Sequence, residues 1–325
     1  VQWFGRPGPR GMIDRHHRPM SPLYKDGRLF ISADEKIITV DAYNGSRLWD
    51  LVLPGSRRIG ALKDCGHIVL SGNILAVAAG DSCITVDTAD GTVLKTWRLP
   101  RQDTAAHDWG YLTLEGDLAI GSMQKKGASF SDLDYRGSPL NGSFLQEGDF
   151  REMIASEALF ALDRKTGETA WVYRRGTIMN STITVGDGCL YFAESIEPAL
   201  DDDGDGRVRI DSFCGDDMYI VALDLASGEK RWERRFAFPY EHIMFLSYAG
   251  DTLLFNGTYN KDELVRYGLY AFDAAGGGDR WETHFIGTNV AGTEPFGTNG
   301  SHGEQWQHRA PGRAAGQSAT CLSLA

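Results

Sequence analysis

The residues that most plainly carry chemistry form an acidic run, D-D-D-G-D-G-R-V-R-I-D, from Asp201 to Asp211. Asp201, Asp203 and Asp205 alternate, and Gly206 follows. Calcium is a hard cation that takes about six to eight oxygens. Carboxylates at the first, third and fifth positions of a tight loop can converge on one ion, glycine at the sixth turns the chain, and the seventh lends a carbonyl. Arg207 holds that seventh place. Ser212 stands where an EF-hand loop has its bidentate Glu, so Asp211, Asp216 or Asp217 must complete the shell. The competing reading is a solvated acidic loop. The pattern points to calcium (Ca2+) in a structural role, keeping a long acidic segment ordered.

Histidines form a second constellation. His17, His107 and His242 precede Gly27, Gly116 and Gly250 by similar intervals, and Asn180 precedes Gly188 in the same way. Each interval ends in a hairpin, so the four residues stand at equivalent places in successive units. Convergent His and Asn side chains can take a metal or an anionic ligand. The plainer reading, a hydrogen-bonded lining of a water-filled channel, is favoured. His16, His302, Glu304 and His308 are further candidates for the same rim. No G-x-S-x-G elbow, HExxH, P-loop or Rossmann fingerprint occurs.

The elements that must position these groups repeat. Asp-x3-Gly-x3-Trp occurs at Asp41–Trp49, Asp163–Trp171, Asp224–Trp232 and Asp273–Trp281. A near copy starts at Asp87 and Gly91, but Lys95 takes the Trp position and Trp97 follows. An apolar run precedes each Asp (IITV, CITV, LFAL, YIVAL, LYAF), and an earlier hairpin precedes each run (KDGRLFIS, SGNILAVA, EGDLAIGS, GDGCLYFA, AGDTLLFN). The Asp can accept hydrogen bonds from turn amides, and Gly supplies a positive φ. Each unit therefore reads as four antiparallel strands, a propeller blade. Trp49, Trp171, Trp232 and Trp281 are expected to wedge, mostly buried, between blades. A blade takes ~40–45 residues. The first and last Asp intervals fit this length, and insertions at 124–153 and 197–217 lengthen the middle two.

Composition agrees. Of 325 residues, 24% are charged and 42% hydrophobic, ordinary for a folded protein. There is no apolar run long enough for a transmembrane helix. The net charge of −11 and the lack of a basic stripe argue against nucleic acid as a partner. The five cysteines are odd in number and form no CxxC, so neither a disulfide framework nor a zinc ribbon is expected.

The pattern A-x-D-x-x-x-G-x-x-x-W, clearest at Ala161–Trp171 and Ala222–Trp232, resembles the tryptophan-docking repeat of PQQ-like (quinoprotein-type) propeller proteins. The opening WFGRPGPRGMIDRHHRPMSP and the phrase SHGEQWQH are similar to large bacterial members. The resemblance implies an all-β propeller of four-stranded blades. It implies either a non-catalytic binding or scaffold module for a protein or small ligand, in the periplasm or envelope, or an enzyme using the funnel: a PQQ-type oxidoreductase or a metal-assisted hydrolase or lyase. Catalytic PQQ enzymes of the alcohol dehydrogenase type carry a Cys-Cys pair against the cofactor. This chain has none, so bound PQQ is not expected and the scaffold reading leads. The expected organisation is one propeller domain over 1–308, part of a larger ring, with a flexible or non-native tail at 309–325. No signal peptide is read at the start.

Overall fold

The computed structural model describes residues 11–13, 19–61, 63–100, 106–130, 152–200, 204–262 and 264–290. His17, Asp201, Asp203, the candidates at 302–308 and the tail lie outside the described residues.

Five antiparallel blades follow in chain order. The first is β1 (Leu23–Lys25), β2 (Arg28–Ala33), β3 (Lys36–Asp41) and β4 (Arg47–Val52). The second is β5 (Ile68–Ser71), β6 (Ile74–Ala79), β7 (Ser82–Asp87) and β8 (Val93–Arg98). The third is β9 (His107–Glu115), β10 (Leu118–Lys125), β11 (Glu152–Asp163) and β12 (Thr169–Tyr173). In the fourth, β13 (Thr177–Met179), a 3₁₀ turn at Asn180–Thr182 and β14 (Thr184–Gly186) replace a single inner strand. Then come β15 (Cys189–Ser195), the inserted β16 (Arg207–Arg209) and α1 (Ile210–Phe213), β17 (Met218–Asp224) and β18 (Lys230–Arg235). The fifth is β19 (Met244–Ala249), β20 (Thr252–Lys261), β21 (Leu264–Asp273) and β22 (Asp279–Val290).

Two turns make each blade. Between its first strands, pairs such as Asp26-Gly27 (φ 46° and 76°) and Asp187-Gly188 (48° and 67°) are both left-handed. That is the twist-matched geometry of two-residue hairpins. Between its last strands runs the Asp-x3-Gly turn. Asp163 Oδ1 accepts the amides of Lys165 and Thr166 at 2.8 Å each, and the Gly167 amide closes on Asp163 O at 2.8 Å.

The glycine of each turn also seats the tryptophan of the preceding blade. A Cβ on Gly91 would lie 2.7 Å from Trp49, and one on Gly228 would lie 2.5 Å from Trp171. The indole N–H donates to the carbonyl of the residue after the turn Asp: Trp49 to Thr88 at 3.2 Å, Trp171 to Leu225 at 3.0 Å, Trp232 to Ala274 at 3.0 Å. The second blade divides this role. Trp97 packs against Gly167, while its N–H is buried and unpaired. Lys95, in the repeat's Trp position, reaches the same turn through Arg164 O (3.4 Å) and Lys165 O (2.6 Å).

Burial of the docking residues departs from expectation at one place. Trp171 is buried and Trp49 and Trp232 are half-buried, but Trp281 is 50% exposed. The first three have the following blade's turn over the ring. Among the described residues no blade follows β22.

Candidate functional site

Polar side chains from three blades meet in a buried network. The linker after β4 does not skirt the sheets; it runs inward along the third blade, where the Ile59 amide donates to Phe130 O at 2.8 Å. It carries Arg58 and Asp64, both almost fully buried. Arg58 donates to Gly110 O at 2.9 Å and to Trp109 O, and its guanidinium lies 4.0 Å from Asp64. Asp64 Oδ2 accepts Ser129 Oγ–H at 2.6 Å, and Ser129 Oγ accepts Gln124 Nε2–H at 2.7 Å. Gln124 Oε1 takes Asn180 Nδ2–H at 3.1 Å. Asn180 Oδ1 takes Ser156 Oγ–H at 2.6 Å, and Ser156 lies 2.8 Å from Ser122 Oγ. A Cβ on Gly110 would meet Ser122 Oγ at 2.4 Å, so this close approach requires glycine.

The buried charge of Arg58 is satisfied by two carbonyls and a carboxylate, which is what burial of a charge requires. Next to it, His67 is fully buried with Nε2 at 3.2 Å from Ser32 Oγ. Burial, and then the charge of Arg58, hold its pKa well below the usual histidine value. The imidazole is neutral at neutral pH. A further buried carboxylate, Glu194, accepts Tyr173 O–H (2.9 Å), Arg175 Nε–H (2.8 Å) and the Gly176 amide (3.0 Å). Burial raises its pKa against the pull of Arg175.

The expected funnel residues are all buried where they are described. Asn180 joins the network. His107 opens β9 and places Nε2 at 2.7 Å from Glu157 Oε2. The ladder explains that contact: Met123 pairs with Ala158 and Gln124 with Ser156, leaving Glu157 as a bulge. Bulges re-aim side chains. Glu157 and Lys125, 3.8 Å apart, flank a small cleft with Ser156, Thr177, Leu200 and Val208. Its volume of ≈ 20 Å³ holds about one water. His242 sits just before β19 with Nε2 3.5 Å from Glu241. Ser181 links the 3₁₀ turn to β19 by donating to Met244 O at 2.6 Å. Among the described residues, no three His, Cys, Asp or Glu side chains gather as a metal site.

Of the calcium loop, three residues are described. Asp205 Oδ1 accepts the Arg207 amide at 3.0 Å, and Gly206 has φ 76°. Arg209 holds Asp211 by two bonds, of 3.1 and 2.6 Å. Arg207 lies over the Phe130 ring at 4.1 Å and donates to Ala128 O. β16 pairs with the start of β11, Arg207 opposite Ile154 and Arg209 opposite Glu152. The insertion of the fourth blade is thereby hydrogen-bonded to the third.

Sequence reasoning did not single out Arg58, Asp64, His67, Gln124, Ser156 or Glu157. Arg58, Asp64 and His67 share one short segment, RRIGALKDCGH, that lies outside the repeat grammar. Charged residues in an otherwise apolar linker were the available signal.

The family profile described as outer membrane protein assembly factor BamB matches residues 144–290. Among solved structures, BamB from Moraxella catarrhalis is 15% identical, covering 79% of this chain and 58% of that one, with a TM-score of 0.43. A europium-containing methanol dehydrogenase is 12% identical, covering 82% and 62%, with a TM-score of 0.46. A quinohemoprotein alcohol dehydrogenase from Comamonas testosteroni is 15% identical, covering 83% and 43%, with a TM-score of 0.50. Such low identity is a likeness of fold. The chain spans between 43% and 62% of the length of these structures. No curated protein matches the sequence.

Proposed function

We propose, from the premise that this chain is a PQQ-like β-propeller repeat protein, that it serves as a binding scaffold for a protein partner in the bacterial envelope. The observation that carries the reading is the network from Arg58 to Asn180. Its members are buried and satisfy one another, so their polarity serves to hold three blades in register. The cleft beside them holds about one water, against the ~300 Å³ or more of a cofactor pocket. A partner would then engage the surface formed by the two insertions. The envelope location rests on the matching profile, whose description is of an outer membrane assembly factor. Among the described residues no helix is long and apolar enough to cross a membrane.

The test has two arms. Purified chain is mixed with PQQ and calcium, desalted, and its absorbance and alcohol-oxidising activity are measured. The expected result is no retained quinone and no turnover; a retained quinone with turnover overturns the scaffold reading in favour of an oxidoreductase. Second, a photo-crosslinking residue at Asp205, expressed in the native host, is expected to trap proteins of the envelope fraction. Crosslinks confined to the cytosol would remove the envelope assignment.

Calcium in the loop Asp201–Asp211 belongs to the same proposal. The left-handed Gly206 and the turn at Asp205 support it, with Asp201 and Asp203 as the remaining carboxylates. Because Arg209 engages Asp211, Asp216 or Asp217 is left to complete the shell. Calorimetric titration with calcium is expected to show one site that Asp203→Asn abolishes. Equal heats from wild type and variant would remove the ion.

A further inference from the structure

The far face of the fifth blade is built like the four interblade faces but is not covered like them. One row across that sheet runs Ser247–Leu254–Ala271–Trp281. The residues equivalent to Leu254 in the other blades are Phe30, Ala76, Ile120 and Tyr191, each at most 1% exposed. Leu254 is half-buried. Leu269 is half-buried too, and Phe285 in the next rows is 49% exposed, as Trp281 is 50%. No charged side chain interrupts these rows. Contiguous exposed apolar surface of this kind marks an interaction site.

We infer that this face pairs with the same face of a second copy of the chain, about a two-fold axis. Two observations select that occupant. The chain carries a net charge of −11, which repels copies of itself, yet this face presents no charge to its mate. The opposite outer face, on the first blade, is already covered: Ile31, Ala33, Ile38 and Val40 are at most 5% exposed. Head-to-tail stacking of the fifth blade on a copy's first blade is therefore closed off. The remaining self-complementary contact is the fifth blade with itself, an isologous interface that closes at two copies.

The experiment is light scattering on the full chain during size exclusion, over a range of concentrations. The expected mass is twice 35.8 kDa. Trp281→Arg and, separately, Phe285→Arg place a charge on the axis-facing side of exposed residues. Each should give a monomer with an unchanged circular dichroism spectrum. Leu94→Arg, on the exposed outer strand β8, should remain dimeric. A wild type that is monomeric throughout overturns the inference, as does a dimer indifferent to both arginines or an open-ended polymer.

Discussion

His67 is the residue whose protonation the fold resists most clearly. Its free value is ~6.5, and in the folded chain burial beside Arg58 lowers it. Above pH ~6.5 the ring is neutral in both states and contributes no pH dependence. As pH falls below that value, the unfolded chain takes up the proton first, and stability drops until the folded value is reached. The slope for one proton is at most about 1.4 kcal/mol per pH unit. Urea midpoints at pH 7 and pH 5 should therefore fall further for wild type than for His67→Gln; parallel falls would show that another group is responsible. Arg58 and Asp64 depend on each other in the same buried setting. Asp64→Ala leaves the guanidinium uncompensated, a change worth about 3–5 kcal/mol, to be read as a lower urea midpoint. A midpoint within error of wild type would mean that the two carbonyls alone satisfy Arg58.

Between blades, the working element is the tryptophan over a turn glycine. Two glycines separate conformational from packing demands. Gly188 (φ 67°) has open space where a Cβ would sit, whereas Gly228 (φ 72°) has the Trp171 ring there. Gly188→Ala should cost only left-handed strain, roughly 1–2 kcal/mol. Gly228→Ala adds overlap with the indole and should lose about 1–3 kcal/mol more. Trp171→Ala removes a buried ring and its bond to Leu225, at about 3–5 kcal/mol. Denaturant midpoints should rank these variants in that order. Gly228→Ala no worse than Gly188→Ala would mean that the seam yields without strain. The second blade shows how far the seam tolerates change, since a lysine's N–H donors stand in where the indole N–H is displaced.

Across the whole molecule the blades are not equal units. β13 pairs with both β11 and β15, and β16 pairs with β11. The third and fourth blades thus form one continuous hydrogen-bonded sheet. The first, second and fifth are separate four-stranded sheets. Cooperative opening follows such connectivity. Native-state hydrogen exchange should show β10, β11, β15 and β17 opening together at a common free energy, above that of β2 and β3. Separate opening of the third and fourth blades would show that the bridging strands carry little stability.

The repeat could be read from the sequence because its causes are local. Asp163 bonds amides two and three residues on, and Gly167 adopts its left-handed φ within the same turn. Hairpins, strand number and the place of each docking ring follow from such spacings. The network could not be read, because its bonds join residues with no shared period: Arg58 to Gly110, Ser129 to Asp64, Asn180 to Gln124. Asn180 was legible as a polar residue at a recurring place, but not its partners. Exposure of Trp281 was equally illegible. The motif that names a docking ring sits on one blade, and the turn that buries it belongs to the next. Only the packed chain decides which faces meet.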